Sequence, residues 1–486
     1  MPDLTVRKER SPGIRLLFVA IVAAVLTIPL LLVYALVYDR QDQSNTAQAA
    51  INAGWGGPQV VAGPVIVVPF RTTQNVTQDV NGQQVVRAVE VEKLLYISPV
   101  DNRATTTIEP QERRKSIYRS VLYTAKVAGA ARFALPADLP RFGVTRERLL
   151  WERAELRMGA SDARGLTAGG SLKLDGKPLA LQPGKGPAAT GGEGFFAFLP
   201  WDGEGAITVD YAFGLRGSGS LSLVPRGGAT RWAVASPWQA PSFGGAFLPD
   251  RPSVNAKGFA AQYTVDKLAL GQAPVTLDDP GPPQIDNPGG AQTYVPSTMD
   301  STAAPRDIAG GGAAEVVGAP AKTVTVGLVE PVNLYSKVNR SVKYGFLFIG
   351  FTFLAFFLFD VVGGARVAAA EYLLTGAGLV LFFVLLLAFA EVIGFTAAYL
   401  LASAAIIGLL SAYSAAVLKS WRRARFMAAL LVGLYALLFV LLNLEAWSLL
   451  IGAVLLFAAL AGVMYATRNV DWTSVGRREE EVSAAA

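Results

Sequence analysis

The sequence contains neither cysteine nor histidine among its 486 residues. Without cysteine, no disulfide can stabilise any part of the chain. Because both residue types are missing, the sequence lacks the usual zinc and copper ligands and the usual general base near pH 7. Ser-His-Asp triads, Cys-His pairs and histidine proton relays are therefore excluded. We predict no catalytic residue, no cofactor-binding residue and no metal ligand.

Charged residues are also few, at 16% of the chain against 52% hydrophobic residues. The first apolar run gives a candidate membrane span over residues 14–37, in which residues 16–37 hold no charge. Such a run is long enough to cross roughly 30 Å of hydrocarbon. A cleaved signal peptide would need a shorter apolar core and a small-residue cleavage site. Since Tyr38, Asp39 and Arg40 follow instead, we interpret the run as an uncleaved anchor.

Five more apolar runs lie near the C-terminus, and each is a candidate membrane helix. They cover residues 344–359, 372–390, 395–418, 426–444 and 446–466. Only Glu445 separates the last two runs, so one bent hydrophobic unit is an alternative to two helices. At about 1.5 Å per residue, their combined length is enough for two crossings, which favours a tight hairpin. The sequence therefore predicts six membrane helices, one at the start and five at the end.

Lysine and arginine in the short connecting segments indicate the orientation of the spans. With the N-terminus inside the cell, twelve basic residues fall in the inner segments and none in the hairpins at Glu391 and Glu445. We therefore expect a multi-pass protein of the bacterial inner membrane, with both termini in the cytoplasm and residues 38–343 in the periplasm. The same distribution explains most of the pI near 9.3, and we reject nucleic acid as a partner.

Residues 38–343 show the alternation of apolar and polar residues that is typical of β-strands. Residues 259–266 and 323–328 follow this pattern, and the clearest case places five apolar side chains on one face: Ile207, Val209, Tyr211, Phe213 and Leu215. Turn signals such as Asn81-Gly82 and Asp175-Gly176 separate the predicted strands. Many short strands at this spacing predict a large, sandwich-like β-rich domain, preceded by one helix at about residues 41–53.

Residues 271–320 differ from the rest of this domain, because they are rich in Gly, Pro, Ala, Ser and Asp and show almost no apolar periodicity. We expect a flexible loop or linker, and an ordered binding loop is the alternative. The predicted organisation is then a cytoplasmic segment at 1–13, a first span at 14–37, a periplasmic domain at 38–343, a five-helix bundle at 344–466 and a cytoplasmic tail at 467–486.

Residues 238–250 are a candidate partner-binding loop, because three aromatic residues, Trp238, Phe243 and Phe247, lie among prolines and glycines. A loop that is stiffened by proline can present aromatic anchors at low entropic cost, and such anchors contribute much of the energy of interfaces. The alternative, which we favour, is a tight turn that closes the end of the sandwich.

Glu391 and Glu445 are candidate functional acids at the membrane edge, because acidic residues within membrane segments often mark ion or proton pathways. Both lie at predicted hairpin tips, where water is available, so a purely topological role is the favoured alternative. No predicted membrane helix has a charge near its middle. This pattern argues against a proton-coupled transporter with a midplane site.

The layout of one helix, a β-rich domain and five helices resembles the CreD inner-membrane family, the cell envelope integrity proteins. The resemblance covers nearly the whole chain. It rests on the segments at 63–69 (GPVIVVP), 241–249 (PSFGGAFLP), 344–359, 391–396 (EVIGFT) and 467–472 (TRNVDW). The long segment 271–320 departs from the family pattern. The resemblance implies a link to the Cre two-component regulon and to envelope integrity, including tolerance to agents that target the envelope. It implies no catalytic site.

Three functions remain open from the sequence. The first is a non-enzymatic envelope-integrity factor that lies in the lipid bilayer and binds an envelope protein, peptidoglycan or lipid through its outer domain. The second is a transporter or lipid-handling protein built on the five-helix bundle. The third is a membrane hydrolase, which would need paired carboxylates or a Ser-Lys arrangement, and no residues stand out for either.

Overall fold

The computed structural model describes residues 12–80, 83–286, 292–294, 317–328, 334–361, 369–417, 420–443 and 448–468. The chain forms two units, one of Met1–Asn45 with Val332–Ala486 and one of Thr46–Pro331. The predicted order of an N-terminal helix, a large β-rich unit and further apolar helices is confirmed.

Eight α-helices occur in the described residues, and all but the short α2 are in, or begin in, the first unit. They are α1 (Pro12–Ala53), α2 (Lys267–Leu270), α3 (Leu334–Lys343), α4 (Gly345–Val361), α5 (Ala369–Ile393), α6 (Phe395–Val417), α7 (Trp421–Asn443) and α8 (Ser448–Thr467). Five stretches are long and apolar enough to cross a membrane: Leu17–Ala53, Leu334–Phe357, Ala370–Ile393, Phe395–Val417 and Trp421–Asn443. The apolar stretch in α8, Leu450–Gly462, is shorter.

The helix α1 is longer than the predicted span. The sequence predicted one membrane helix to residue 37 and a separate helix at about 41–53, whereas α1 is continuous over 42 residues. At about 1.5 Å per residue its length is roughly 63 Å, about twice the thickness of the hydrocarbon layer. Polar residues after Val37 end the apolar run but not the helix, because Asp, Arg, Gln and Ala are all compatible with helical backbone.

Within the first unit, α1 packs through a stripe of four buried residues, Leu26, Leu30, Val33 and Val37. Their spacing of four, three and four places them on one side of the helix. Gly376 of α5 permits this packing, because a Cβ atom there would lie 2.0 Å from Leu26 Cδ1.

Aromatic residues fill the space between α5, α6 and α7. The ring centre of Phe382 lies 4.6 Å from that of Tyr435 and 5.5 Å from that of Tyr399. The Tyr399 hydroxyl donates a hydrogen bond to the carbonyl oxygen of Tyr435 at 2.6 Å. By contrast, most described side chains of α8 are exposed, including Phe457 and Leu460.

The second unit contains β1 to β21 in chain order. The strands are Gln59–Val80, Gln83–Ile97, Asp101–Lys115, Tyr118–Ala134, Glu155–Ala160, Ser171–Leu174, Lys177–Leu179, Gln182–Pro183, Gly194–Phe198, Ala206–Ser218, Ser220–Val224, Ala229–Ser236, Pro241–Gly245, Ser253–Asn255, Gly258–Asp266, Val275–Thr276, Asp279–Gly281, Gln284–Asp286, Gln292–Tyr294, Val317–Pro320 and Val324–Leu328. Short 3₁₀ helices occupy Leu139–Phe142, Arg146–Arg148, Trp151–Arg153, Ala163–Gly165 and Ala188–Thr190.

Most of these strands form two large sheets. The first sheet has nine strands in the order β13-β21-β11-β1-β5-β9-β8, with β2 also paired to β1 and β16 paired to β2. The second sheet has eight strands in the order β14-β15-β12-β3-β4-β10-β6-β7. Two pairs within these sheets are parallel, β1 with β11 and β12 with β3. Both parallel pairs join strands that are distant in sequence.

Buried side chains from both sheets belong to one hydrophobic cluster. Members of this cluster include Ile66, Leu156 and Val326 from the first sheet and Leu215, Trp232 and Tyr263 from the second. The predicted alternation is confirmed in β10, where residues 207, 209, 211, 213 and 215 are all buried. The predicted turn at Asp175-Gly176 is also confirmed, since φ is 45° and 82° at these residues, as a two-residue hairpin with both central φ angles positive requires. The Asn81-Gly82 turn lies outside the described residues.

The chain enters the second unit at the end of α1, where Trp55 fixes the position of the β3–β4 hairpin. Trp55 Nε1 donates a hydrogen bond to the carbonyl oxygen of Tyr123 at 3.2 Å. The guanidinium groups of Arg113 and Arg216 lie 4.9 and 4.7 Å from the centre of the Trp55 ring. One turn earlier, the side-chain oxygen of Asn52 accepts a hydrogen bond from Ser120 at 2.7 Å.

The expectation of a flexible segment over residues 271–320 is wrong for the part that the structure describes. Val275–Thr276 pairs with β2, and Asp279–Gly281 pairs with Val317–Pro320. The Asp279 carboxylate is fully buried and forms an ion pair with Arg226. It also accepts a hydrogen bond from the backbone nitrogen of Ala188. The inference from composition was wrong because composition indicates only how much apolar surface a segment can bury, whereas backbone pairing and a buried ion pair hold this stretch. Residues 287–291 and 295–316 lie outside the described chain.

Candidate functional site

The candidate partner-binding loop at 238–250 is partly a strand. Pro241–Gly245 forms β13, an edge strand of the first sheet, and pairs with β21 so that Phe243 lies opposite Val326. The segment then continues to Asp250, whose backbone nitrogen donates to the carbonyl oxygen of Gln262 on the second sheet at 2.8 Å. The segment therefore connects an edge of one sheet to the outer strands of the other.

All three aromatic residues of this segment pack against the shared core. Trp238, Phe243 and Phe247 are half-buried at its margin. The ring centre of Phe243 lies 5.8 Å from that of Phe259, edge to face, and Trp238 Nε1 donates to the carbonyl oxygen of Ala240 at 3.1 Å. Leu248 is the most exposed large apolar residue here, at 69%. The rings thus contribute to packing, and partner binding by them stays a prediction.

A groove of about 300 Å³ lies immediately beyond this segment, on the outer face of the second sheet. Its floor consists of two rows of outward-facing residues that cross β3, β12 and β15. The first row is Thr105, Ala233 and Gln262, and the second row is Thr107, Ala235 and Ala260. We call this surface the Ala/Thr groove.

One wall of the Ala/Thr groove is formed by the chain that enters the edge strand β14. Arg251 lines this wall, Ser253 follows it as the first residue of β14, and both side chains are exposed. Ser253 pairs with Ala260 and so extends the second row by one strand. Since neighbouring strands lie about 4.8 Å apart, the floor from β3 to β14 is roughly 14 Å wide.

Buried side chains on the core side of the second sheet connect the strands that form the floor of the groove. Trp232 Nε1 donates a hydrogen bond to Thr106 Oγ1 at 2.9 Å, which links β12 to β3. The Trp232 ring also stacks on Tyr263 of β15 at a centroid distance of 5.3 Å. The three strands that carry the floor are thereby tied together by side chains as well as by their backbone ladder.

The residue types of the Ala/Thr groove favour a narrow, extended ligand with an acidic group. Alanine methyl groups allow a ligand to approach the sheet closely, whereas hydroxyl and amide groups supply hydrogen bonds. The guanidinium of Arg251 matches the geometry of a carboxylate or phosphate.

The two candidate membrane-edge acids have different outcomes. Glu391 lies near the end of α5, is half-buried, and accepts a hydrogen bond from the Tyr335 hydroxyl of α3 at 3.2 Å. Glu445 lies outside the described residues. The structure therefore places one of the two acids in a contact between helices at the end of the bundle, and a functional role for either stays a prediction.

Among the described residues, the structure brings no three His, Cys, Asp or Glu side chains together in a group that could hold a metal ion. Sequence reasoning missed two groups of residues. The Ala/Thr groove depends on the pairing of strands far apart in sequence and leaves no local signal. The amphipathic helix α3 does have a signal, because buried Tyr335, Val338 and Val342 recur at helical spacing.

Comparison with known proteins gives a consistent result over nearly the whole chain. The family model described as "Inner membrane protein CreD" matches residues 11–473. The inner membrane protein CreD of Escherichia coli (strain K12) is 29% identical over 457 residues, which are 92% of this chain and 90% of that protein. Neither description denotes an enzyme.

A solved structure of an M1 zinc metallopeptidase from Deinococcus radiodurans shows a much weaker similarity. The identity is 8% and the TM-score 0.21, over 34% of this chain and 38% of that one. A similarity at this level does not indicate a shared fold.

Proposed function

Since the chain belongs to the family of the inner membrane protein CreD, we propose that it contributes to cell envelope integrity as a non-enzymatic membrane protein. In this proposal the β-rich unit is a periplasmic sandwich that binds an envelope partner. The shared core of the two sheets supports the sandwich architecture, and the Ala/Thr groove is the observation that supports partner binding.

The proposed topology has six spans, with both termini in the cytoplasm. Five helical stretches reach membrane length, and α8 supplies the sixth as a helix of 20 residues. The distribution of basic residues supports this orientation. Reporter fusions after Arg7, Lys419 and Ser474 should indicate the cytoplasm, and one after Gly203 should indicate the periplasm. A periplasmic signal after Lys419 would contradict the six-span topology.

The proposed partner of the Ala/Thr groove is an extended chain with an acidic group, as found in a protein segment or in the peptide part of peptidoglycan. Envelope lipid is the remaining candidate. A cation at one wall and a floor of small side chains fit such a chain better than they fit a bulky, compact ligand.

Site-specific photo-crosslinking in living cells tests this proposal. A photoreactive residue in place of Ala233 samples the groove, and the same residue in place of Thr208 samples an exposed position on β10 of the same sheet. We expect products from position 233 that are absent from position 208 and that disappear with Arg251→Ala. Identical products from both positions, or products that persist with Arg251→Ala, would show that the groove is not the binding site.

A further inference from the structure

The helix α3 has two chemically distinct faces. Tyr335, Val338, Ser341 and Val342 are buried against the rest of the helical unit. Three cations, Lys337, Arg340 and Lys343, follow one another at intervals of three residues. At about 100° per residue they occupy an arc of roughly 120° on the other side. The helix contains no acidic residue.

Contacts to two other helices, α6 and α7, hold α3 at one end of the bundle. Lys337 Nζ donates to Asn443 Oδ1 at 3.2 Å and lies 5.4 Å from the centre of the Phe395 ring. Arg340 donates to the carbonyl oxygen of Leu442 at 3.5 Å. These partners belong to the end of α7 and the beginning of α6, so α3 lies where two membrane helices end or begin.

The position of α3 relative to the apolar helices corresponds to the headgroup layer of a bilayer. The 17 residues of α4, which follow α3 after Tyr344, span about 26 Å, close to the thickness of the hydrocarbon layer. The crossing of the apolar stretch Leu334–Phe357 can therefore be supplied by its α4 part, without α3. Lys343 Nζ lies 5.9 Å from the ring of Tyr34, near the end of the uncharged part of α1. Tyrosines are typical of this boundary, where their rings meet headgroups.

The two lysines of α3 have no carboxylate partner in the described part of the chain. Lys337 contacts an amide and a ring, and Lys343 is exposed beside a ring. Glu391, a carboxylate at this end of the bundle, accepts a hydrogen bond from Tyr335 on the buried face of α3. An amphipathic helix with uncompensated cations at headgroup depth attracts anionic lipid, by roughly 1 kcal/mol per lysine or arginine.

We propose that the basic face of α3 is a binding site for the phosphate group of an anionic phospholipid, in the leaflet farthest from Pro12. Lys337 and Lys343 supply the charge, and the contacts of Arg340 to α7 hold the helix in place. The site is formed by the helical unit alone and does not depend on the partner proposed for the β-rich unit.

The test uses the full-length protein in detergent, titrated with phosphatidylglycerol or phosphatidylcholine and analysed by native mass spectrometry. The wild type should bind phosphatidylglycerol in preference to phosphatidylcholine. Lys337→Gln/Lys343→Gln should weaken phosphatidylglycerol binding about 30-fold, which corresponds to roughly 1 kcal/mol per lysine. The matched control, Lys173→Gln/Lys177→Gln, removes two exposed lysines from β6 and β7 and should leave binding unchanged.

Two further measurements separate the alternatives. Lys343→Gln alone changes one exposed position and should weaken binding about fivefold. This single variant keeps the test available if the double variant is unstable. Inorganic phosphate should compete only weakly with the lipid. An unchanged lipid preference in both α3 variants would overturn the proposal. So would an equal loss in the control, which would indicate diffuse attraction, or full displacement by phosphate, which would indicate a free-anion site.

Discussion

The buried ion pair between Arg226 and Asp279 offers a direct test of how the β-rich unit is stabilised. Both side chains are almost completely inaccessible, at 2% and 0% exposure. Burial lowers the pKa of Arg226 to about 10, because the charged form loses its hydration. Asp279→Asn keeps the size of the side chain but leaves the guanidinium buried without a carboxylate.

The expected loss of stability is large. Removing one partner from a buried ion pair typically costs about 3–5 kcal/mol, since the remaining charge stays desolvated. For a domain of this size, each kcal/mol lowers the melting temperature by roughly 2–4 °C. We therefore expect Asp279→Asn to melt about 10 °C below the wild type.

Thermal unfolding of the full-length protein in detergent, followed by tryptophan fluorescence, measures this difference. Five of the eight tryptophans lie in the β-rich unit, at positions 55, 151, 201, 232 and 238. Asp278→Asn is the matched control, because Asp278 is the exposed neighbour of Asp279 and its replacement should change the melting temperature by less than about 2 °C.

A double variant distinguishes an unpaired charge from a simple loss of contacts. Arg226→Met/Asp279→Leu removes both charges, and such replacements of buried ion pairs are often neutral or stabilising. It should recover at least half of the loss. If Asp279→Asn melts like the wild type, or if the double variant is as unstable as the single one, the ion pair does not stabilise this unit in the way that we argue.

Three other outcomes are expected. Gly376→Ala should destabilise the helical unit by about 1–3 kcal/mol in thermal unfolding, because its Cβ would lie 2.0 Å from the side chain of Leu26 in α1 and 2.9 Å from that of Phe353. Gly350→Ala should not, because a Cβ atom there would meet no atom within 4 Å beyond its own turn of helix. Hydrogen bonds from Arg164 lower the pKa of Asp162. The ionised carboxylate therefore stabilises the folded state above about pH 4, and this stabilisation is lost as the pH falls through the folded-state pKa. The gap in melting temperature between the wild type and Asp162→Asn should close in acid, and a constant gap would refute this. Phe243→Ala and Phe247→Ala should each lower the free energy of unfolding by less than the loss for a fully buried ring, which is about 3–5 kcal/mol, because both rings are half-buried. Loss of both variant proteins to degradation in cells would rule out binding by these rings.

The sequence predicted those elements whose signal is local. In β10 the period of two is complete from Ile207 to Leu215, and the strand forms where it was expected. The helices α5 and α6 are confirmed because each is a long apolar run, interrupted between them only by the Glu391–Gly394 region. Hydropathy marks the end of the first apolar run at Val37 but not the end of the helix, which continues to Ala53, since apolar character and helical conformation are separate properties.

The remaining features depend on contacts between residues far apart in sequence. The floor of the Ala/Thr groove exists only because β12 pairs in parallel with β3, which places Ala233 beside Thr105. Likewise, nothing near Asp279 indicates that its carboxylate meets Arg226. Local composition could not show that a proline-rich, polar stretch is fixed to the sheet by one buried charge.

The parallel pairing of β17 with β20 has a consequence for how this protein can vary in length. The chain leaves the pair at Gly281 and returns at Val317, directly beside the strand that it left. Closing a longer connection between two fixed points costs entropy that grows only with the logarithm of its length. With Asp279 fixing the near side, closure entropy alone allows evolution to lengthen or shorten the connection outside the β18–β19 hairpin, and an engineer to insert a reporter there, with little penalty to the β17–β20 pair.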